Sequence, residues 1–197
     1  TALLLTVFGQ SFAQRTPLKS GEKAPSIKFQ DVQGNSYKLA DMLKDNKKVL
    51  LCFMRPVWCP VCNARTNELK ENYKALKEKG YEVVVIYPSP LETMKSYVTD
   101  YDLPFIVVAD PSEELYGQYQ VEKSQRKITA YLKHKEAKQK MKKGNQLYKE
   151  KGKKYAKKGD EHGPLVPADF VVDADLKLLR VFYGEFTGQH LSLDELK

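Results

Sequence analysis

Two cysteines separated by two residues are the part of this sequence best suited to chemistry. Cys59 and Cys62 lie in the run Trp58-Cys59-Pro60-Val61-Cys62. A thiolate attacks disulfides, and a second thiol one helical turn away can attack the resulting mixed disulfide and release the partner. Because this exchange requires two neighbouring sulfurs, the spacing predicts a redox-active pair.

The residues on either side predict a strand that leads into a helix starting at this pair. Lys48 to Met54 is a nearly continuous apolar run of strand length, typical of a strand buried on both faces. From Pro60 to Lys79 apolar residues recur at helical spacing, and Gly80 marks the end. The pair is therefore expected at the N-terminal end of a helix that follows a buried strand.

This position predicts different roles for the two thiols. Proline suits the first helical position, and the unpaired N–H groups and the helix dipole at that end favour a thiolate. We expect Cys59 to be the nucleophile and Cys62 the resolving thiol. Trp58 is expected to pack beside the site and shield it, and Arg55 to add positive potential.

The rest of the chain predicts an α/β domain. Before the apolar strand we expect an extended pair (26–30 and 36–39) and one helical turn (40–44). After the helix that carries the cysteine pair we expect, in chain order, a strand (81–87), a helix (90–101), a strand (105–109), a helix (113–119), a strand pair (169–173 and 178–183) and a C-terminal helix capped by Ser192. Strands that alternate with helices and end in a hairpin indicate a mixed sheet with helices on both faces.

The overall composition is that of a globular protein with few cysteines. The chain has 197 residues, 42% of them apolar, which suits one domain with a substantial core. Three cysteines are too few for a disulfide scaffold, and Cys52 within the apolar strand is expected to be a core residue. A CxxC pair can be half of a zinc site, but the other cysteine and the three histidines show no ligand spacing. We therefore expect neither a metal nor a cofactor.

The positive charge is concentrated in one segment. Val121 to Gly159 holds fourteen lysines and one arginine against three glutamates, a net charge of +12, whereas the remainder carries −4 of the total of +8. Gly144, Gly152 and Gly159 interrupt the helical pattern there, so the main expectation is a solvated, partly helical insert. A second interpretation is contact with an anionic surface, without specific nucleic-acid binding, and one hypothesis is that the insert gates access to the cysteine pair.

The first residues resemble a processing signal. Ala2 to Phe8 is an apolar run, and Ser11-Phe12-Ala13 places small residues where a signal peptidase cleaves. The interpretation is a signal-peptide remnant over 1–13, a linker over 14–25 and a redox domain over 26–197 that contains the basic insert. Export to a periplasmic or extracellular setting follows from this interpretation.

Two segments carry a family resemblance. Leu51 to Cys62 (LCFMRPVWCPVC) and Val166 to Gly184 (VPADFVVDADLKLLRVFYG) resemble the thioredoxin-like superfamily, and more narrowly its redoxin or AhpC/TSA branch, which includes peroxiredoxin-like proteins. The resemblance implies a thioredoxin fold and a thiol-based oxidoreductase. It covers most of the chain from Gly21 to Leu196 apart from the basic insert.

Two chemistries occur in that superfamily. Alignment with the peroxiredoxin pattern places Cys62 at the peroxide-attacking position, but Cys59 stands where a hydroxyl residue belongs and Pro167 where an arginine belongs. The thioredoxin pattern places a cis-proline before the later strand, where its backbone receives the partner chain, and Val166-Pro167 matches that position. The resemblance thus implies that Val166 and Pro167 position the substrate through a cis peptide bond.

Three hypotheses about function follow. The first is a thiol–disulfide oxidoreductase that uses Cys59 and Cys62 on a protein disulfide or dithiol. The second is a peroxiredoxin-like peroxidase that reduces hydroperoxides through Cys62, with Cys59 as the resolving thiol and a thioredoxin-like reductant as electron donor. The third is a basic binding module on a thioredoxin fold, in which the cysteines are structural.

Overall fold

A five-stranded mixed sheet organises the protein. The computed structural model describes residues 15–44, 47–151 and 155–196. In the sheet the strand order is β5-β4-β3-β6-β7, with β3, β4 and β5 parallel and β6 and β7 antiparallel to their neighbours. A short antiparallel hairpin, β1-β2, lies outside this sheet. The strands are β1 (Lys28–Gln30), β2 (Ser36–Lys38), β3 (Lys48–Phe53), β4 (Tyr81–Tyr87), β5 (Ile106–Ala109), β6 (Ala168–Val172) and β7 (Leu178–Tyr183).

Helices cover both faces of the sheet. They are α1 (Leu39–Met42), α2 (Pro60–Glu78), α3 (Leu91–Tyr101), α4 (Glu114–Gln118), α5 (Gln125–Ala130) and α6 (Lys135–Lys151), with 3-10 turns at Tyr131–Lys133 and Leu193–Glu195. Alternate residues of the central strand β3 point to opposite faces. Leu50 and Cys52 pack in the core beneath α2 and α3, whereas Leu51 and Phe53 pack in the core that contains α1 and α4.

The fold class predicted from sequence is confirmed. The strand at 81–87 and the second strand of the late pair, 178–183, have the predicted bounds, and the other predicted strands and helices differ by one or two residues at one or both ends. The C-terminal helix is wrong, because the described chain forms only a single 3-10 turn there, although Ser192 caps it by accepting a hydrogen bond from the Asp194 N–H.

The basic insert differs from the expected solvated excursion. Gly144 does not interrupt the helix, since α6 runs through it for 17 residues. The helix packs along α2 and buries Ala137, Gly144 and Tyr148. Because Gly144 has no side chain, α6 can approach the backbone of α2 closely at this position.

Residues 15–25, expected to be a linker, run beside the β6–β7 hairpin. Gly21 donates its N–H to the Leu178 carbonyl, and Ala24 donates to the Leu176 carbonyl. Arg15 forms a salt bridge of 3.1 Å with Glu122 at the start of the insert. The signal-peptide interpretation of 1–13 falls outside the described residues. Among those described, no helix combines the length and the apolar character that crossing a membrane requires.

Candidate active site

Cys59 and Cys62 occupy the first turn of α2, as the sequence predicts. Cys59 is the residue before the helix, with extended backbone (φ −78°, ψ 114°), and Pro60 takes the first helical position. The Cys59 carbonyl accepts hydrogen bonds from the N–H groups of Cys62 (3.1 Å) and Asn63 (3.2 Å). The chain therefore turns from β3 into α2 at the cysteine pair.

The environment of Cys59 favours a thiolate. The Cys62 thiol donates a hydrogen bond to the Cys59 sulfur and is the main reason that the pKa of Cys59 falls to about 6. Burial opposes this shift, whereas the Arg55 guanidinium, with Nη1 3.3 Å from Sγ, and the N–H groups of Val61 and Cys62 support it. A large fraction of Cys59 is thus ionised at neutral pH.

The environment of Cys62 instead favours the protonated thiol. It is completely buried, and this burial, together with the neighbouring Cys59 sulfur, raises its pKa well above the ordinary value. On its helical side the Thr66 hydroxyl donates to the Cys62 carbonyl (3.0 Å) and contacts the Tyr87 hydroxyl. Cys62 therefore holds its proton while Cys59 is ionised.

Cys52 is separate from this pair, in agreement with the expectation that it is a core residue. It lies in β3 directly opposite Asp169 of β6 and is fully buried. Burial and the Asp169 carboxylate raise its pKa well above the ordinary value. Cys52 thus remains a protonated thiol.

A buried ionic cluster beneath α2 was not found by sequence reasoning. The Asp169 carboxylate accepts a hydrogen bond from His190 Nδ1 at 3.0 Å and lies 3.7 Å from Nη2 of Arg65. Burial alone would raise the pKa of Asp169, but its interactions with His190 and Arg65 and the N–H of Leu191 lower it to about 2. Burial lowers the pKa of His190, so the ring is neutral at neutral pH and the Arg65 guanidinium balances the carboxylate.

The signal for this cluster is faint in the sequence. Arg65 resembles any charged residue on a helix, and His190 lies 21 positions from Asp169. Asp169 does carry one clue, since an acidic residue within an apolar strand must find a buried partner.

Tyr148 of the insert contributes to the cysteine loop and was likewise missed. Its hydroxyl donates to the Val57 carbonyl at 2.7 Å and accepts from the Asn63 side chain at 2.7 Å. Asn63 also donates to the Cys59 carbonyl at 3.0 Å. The insert therefore bonds directly to the backbone that carries the cysteine pair.

Trp58, which directly precedes Cys59, bonds to the residue that follows the insert. Its indole N–H donates to the Asp160 carbonyl at 2.8 Å. The Asp160 carboxylate accepts from the Ser89 hydroxyl at 2.6 Å, and the Ser89 oxygen accepts from the Val57 N–H at 2.9 Å. The result is a continuous chain of hydrogen bonds from Asp160, the residue after the insert, to the cysteine loop.

The predicted cis peptide bond at Pro167 is wrong. No peptide bond of the described residues is cis, so Val166-Pro167 is trans. The Val166 N–H donates to the Glu122 carbonyl at 2.8 Å, which keeps the segment extended beside the start of the insert. Pro167 precedes Ala168, the strand partner of Phe53, and both Val166 and Pro167 are buried. This segment therefore lies near the end of β3 that leads to the cysteine loop.

The side chains around the pair are those of a dithiol site. Within 15–44, 47–151 and 155–196 no three histidine, cysteine or acidic side chains are grouped as metal ligands would be. Two sulfurs whose pKa values are shifted in opposite directions lie instead at the start of a helix that follows the central strand. The fold and the dithiol together define an oxidoreductase of the thioredoxin-fold class.

Comparison with known sequences gives the family. The model of the AhpC/TSA family matches residues 20–181, so the chain belongs to this family. It is 31% identical over 121 residues to a protein of Bacillus cereus named thiol-disulfide oxidoreductase ResA, covering 61% of this chain and 68% of the relative. The Bacillus subtilis protein of the same name is 26% identical over 121 residues, covering 61% and 66%.

Solved structures confirm the fold. Peroxidoxin BcpB from Mycobacterium tuberculosis superposes with a TM-score of 0.62 at 18% identity, covering 87% of this chain and 89% of that one. A mutant of peroxiredoxin 6 from Arenicola marina gives 0.64 at 14% identity, covering 91% and 70%. At these identities the likeness concerns the thioredoxin-like fold alone.

Proposed function

We propose that this protein is a thiol–disulfide oxidoreductase in which Cys59 is the nucleophile and Cys62 the resolving thiol. The observation that carries the proposal is the opposite environment of the two sulfurs. The pKa of Cys59 is lowered to about 6, whereas that of Cys62 is raised well above its ordinary value. A pair of this kind has one thiolate ready to attack and one protonated thiol held in reserve.

The exchange proceeds in two steps. The Cys59 thiolate attacks one sulfur of a substrate disulfide, forms a mixed disulfide and expels the other sulfur as a thiolate. Cys62 then attacks the Cys59 sulfur, its proton passing to a departing thiolate, and the substrate leaves fully reduced. The protein ends with a Cys59–Cys62 disulfide and has donated two electrons, which an external dithiol such as a thioredoxin-like reductant restores.

Arg55, Trp58 and the 166–167 segment are assigned supporting roles. The Arg55 guanidinium, 3.3 Å from the Cys59 sulfur, stabilises the thiolate. Trp58, Val166 and Pro167 are proposed to receive the partner chain. Because Val166 and Pro167 are buried, they contact a partner only after neighbouring residues move.

The partner is proposed to be a protein disulfide or dithiol outside the cytoplasm. The run of apolar residues at 2–8, followed by Ser11-Phe12-Ala13, supports export. The net charge of +12 on residues 121–159 supports a partner or surface that is anionic near its contact with the protein.

Single cysteine substitutions test the role of each sulfur. In Cys62→Ser the mixed disulfide at Cys59 is expected to accumulate, because no resolving thiol remains. In Cys59→Ser neither mixed disulfide nor turnover is expected, and Cys52→Ala serves as the control that retains turnover without accumulating the mixed disulfide. Mass spectrometry of the trapped adducts, after reaction with a disulfide peptide, identifies the modified residue.

The peroxidase hypothesis makes the reverse prediction. If hydrogen peroxide oxidises Cys62 rapidly, and peroxide consumption survives Cys59→Ser but not Cys62→Ser, Cys62 is the nucleophile and our assignment is wrong. The double variant Cys59→Ser/Cys62→Ser tests the binding-module hypothesis, because full biological activity without either sulfur would exclude redox chemistry.

A further inference from the structure

The reactive sulfur is buried although its proposed reaction requires contact with another molecule. Cys59 is 1% exposed, and Cys62 is not exposed at all. Attack on a disulfide needs an approach along the line of the sulfur–sulfur bond, which a protein substrate achieves only if its chain comes into van der Waals contact with Cys59. This arrangement is therefore closed to a protein disulfide.

The basic insert lies over the start of α2 beside the segment that follows β7, where Gly188 packs against Val61. At Gly144, α6 touches the backbone of Pro60, the residue that directly follows Cys59. A Cβ at Gly144 would overlap the carbonyl carbon and oxygen of Pro60. Backbone meets backbone at this point, and any larger residue must separate the two helices.

Hydrogen bonds fasten the insert on both sides of this contact. Tyr148, one helical turn after Gly144, bonds to the Val57 carbonyl and to Asn63. The segment that returns from α6 bonds to Trp58 through the Asp160 carbonyl. The Tyr155 hydroxyl donates to the Asp100 carboxylate of α3 at 2.6 Å.

The same insert contributes few fully buried side chains to the core. In its long helix only Ala137, Gly144 and Tyr148 are buried, Met141 and Leu147 are partly buried against the core, and the remaining positions are mostly exposed and charged. Segments with few buried apolar contacts open at lower free energy than the core around them. An insert of this composition can move away from α2 without unfolding of the domain.

We infer that α6 and residues 155–160 form a cap that determines which substrates reach Cys59. In its closed position the cap excludes protein disulfides. Small thiol reagents reach Cys59 after only a small displacement of the cap. The inference rests on the proposed function only in taking Cys59 as the reactive sulfur. Disulfide exchange with a protein then requires the cap to leave Pro60, Val57 and Trp58. Small reagents need only a local movement, so the two kinds of reaction respond differently to a loosened cap.

Gly144→Ala is the most direct test, with Gly117→Ala as the matched control. Gly117 is also helical, and a Cβ there meets nothing within 4 Å. The reduced proteins are treated with N-ethylmaleimide and with a maleimide that carries a long polyethylene glycol chain, and the modified cysteine is identified by digestion and mass spectrometry. For Gly144→Ala the ratio of bulky to small labelling at Cys59 is expected to rise about tenfold, and Gly117→Ala should leave it unchanged.

Tyr148→Phe provides a second variant that removes hydrogen bonds without adding volume. The ratio is expected to rise about threefold, since the cap loses polar contacts but keeps its fit. A ratio unchanged in both folded variants, or wild-type protein that labels equally with both reagents, overturns the cap. If instead the small reagent modifies Cys62 rather than Cys59, the proposed roles fail while the bulky-reagent comparison still reports on the cap.

Discussion

At the scale of single residues, the chemistry depends on how one sulfur is distinguished from its neighbour. The two cysteines have the same side chain and lie three positions apart, yet the Arg55 side chain donates a hydrogen bond to the Cys59 sulfur, which the N–H groups of Val61 and Cys62 also stabilise. Cys62 lies within the helix, and its thiol donates a hydrogen bond to the Cys59 sulfur. Helix position and one cation thus divide the roles.

Removal of the Arg55 charge should weaken the thiolate. In Arg55→Met the pKa of Cys59 is expected to rise by about one unit from its value near 6, because a cation at hydrogen-bond distance is lost from a buried site. The rate of alkylation against pH, in the reduced protein, gives this pKa. Arg180→Met is the matched control, since Arg180 is exposed on β7, and an equal shift in both variants would refute the assignment.

At the scale of elements, the Asp169 cluster joins β6, α2 and the C-terminal segment. Asp169 lies in β6, Arg65 in α2, and His190 and Leu191 follow β7. All three charged or titratable groups are almost completely buried. The cluster fixes α2, and with it the cysteine pair, against the sheet.

Asp169→Asn should destabilise the protein strongly, because the fully buried carboxylate that faces Arg65 and His190 is lost and only the partly exposed Glu68 carboxylate remains beside the Arg65 guanidinium. We expect a loss of about 3 kcal/mol in the free energy of unfolding. Urea unfolding followed by circular dichroism measures it. Asp175→Asn, in the exposed turn before β7, is the control and should change stability by less than about 0.5 kcal/mol; a similar loss in both would contradict the role of the cluster.

The same cluster sets an acid limit on stability. The pKa of Asp169 in the folded protein, about 2, is below its ordinary 3.8, so its stabilising contribution is complete above about pH 4 and is lost as the pH falls towards 2. The pKa of His190 is also lowered, from an ordinary 6.5, so stability begins to fall below that pH, where the unfolded chain binds the proton more readily. For wild type, the free energy of unfolding should decline as the pH is lowered from about 7 to about 3. In His190→Gln the decline between about pH 6.5 and about pH 4 should be absent. A flat profile for wild type would exclude this linkage.

At the scale of the whole molecule, charge is separated between the insert and the body. Residues 121–159 carry +12 and the remainder −4. Lys138, Lys142 and Lys149 are exposed on one side of α6, on the outer surface of the element that covers Cys59. This charge favours approach of an anionic molecule to the face that carries the proposed cap.

Charge reversal on this face should slow the reaction with an acidic substrate. For Lys138→Glu/Lys142→Glu/Lys149→Glu we expect the rate of exchange with a disulfide peptide rich in glutamate to fall about tenfold at low ionic strength. The difference from wild type should disappear at high salt, because screening removes long-range attraction. The control reverses three exposed lysines of the body, Lys28, Lys74 and Lys79; an equal effect there would show that net charge, and not the cap, is responsible.

The sequence by itself determined the domain and the position of the pair. Hydrophobic periodicity predicted β3, β4, α2 and α3, because the two strands bury nearly all of their residues and the two helices bury residues at helical spacing. The CxxC spacing and Pro60 likewise depend on residues a few positions apart, so local pattern was sufficient to predict a redox pair at the start of a helix.

Only the tertiary structure decided what surrounds the pair. The contact between Gly144 and Pro60 joins residues 84 positions apart, and the Asp169–His190 interaction joins two segments that sequence periodicity treats separately. The glycine that looked like a helix breaker is required because two backbones meet there, and the expected cis-proline is trans in a segment where Val166 bonds to Glu122. Such contacts depend on how distant elements are placed in space, and no local pattern of residue types encodes that placement.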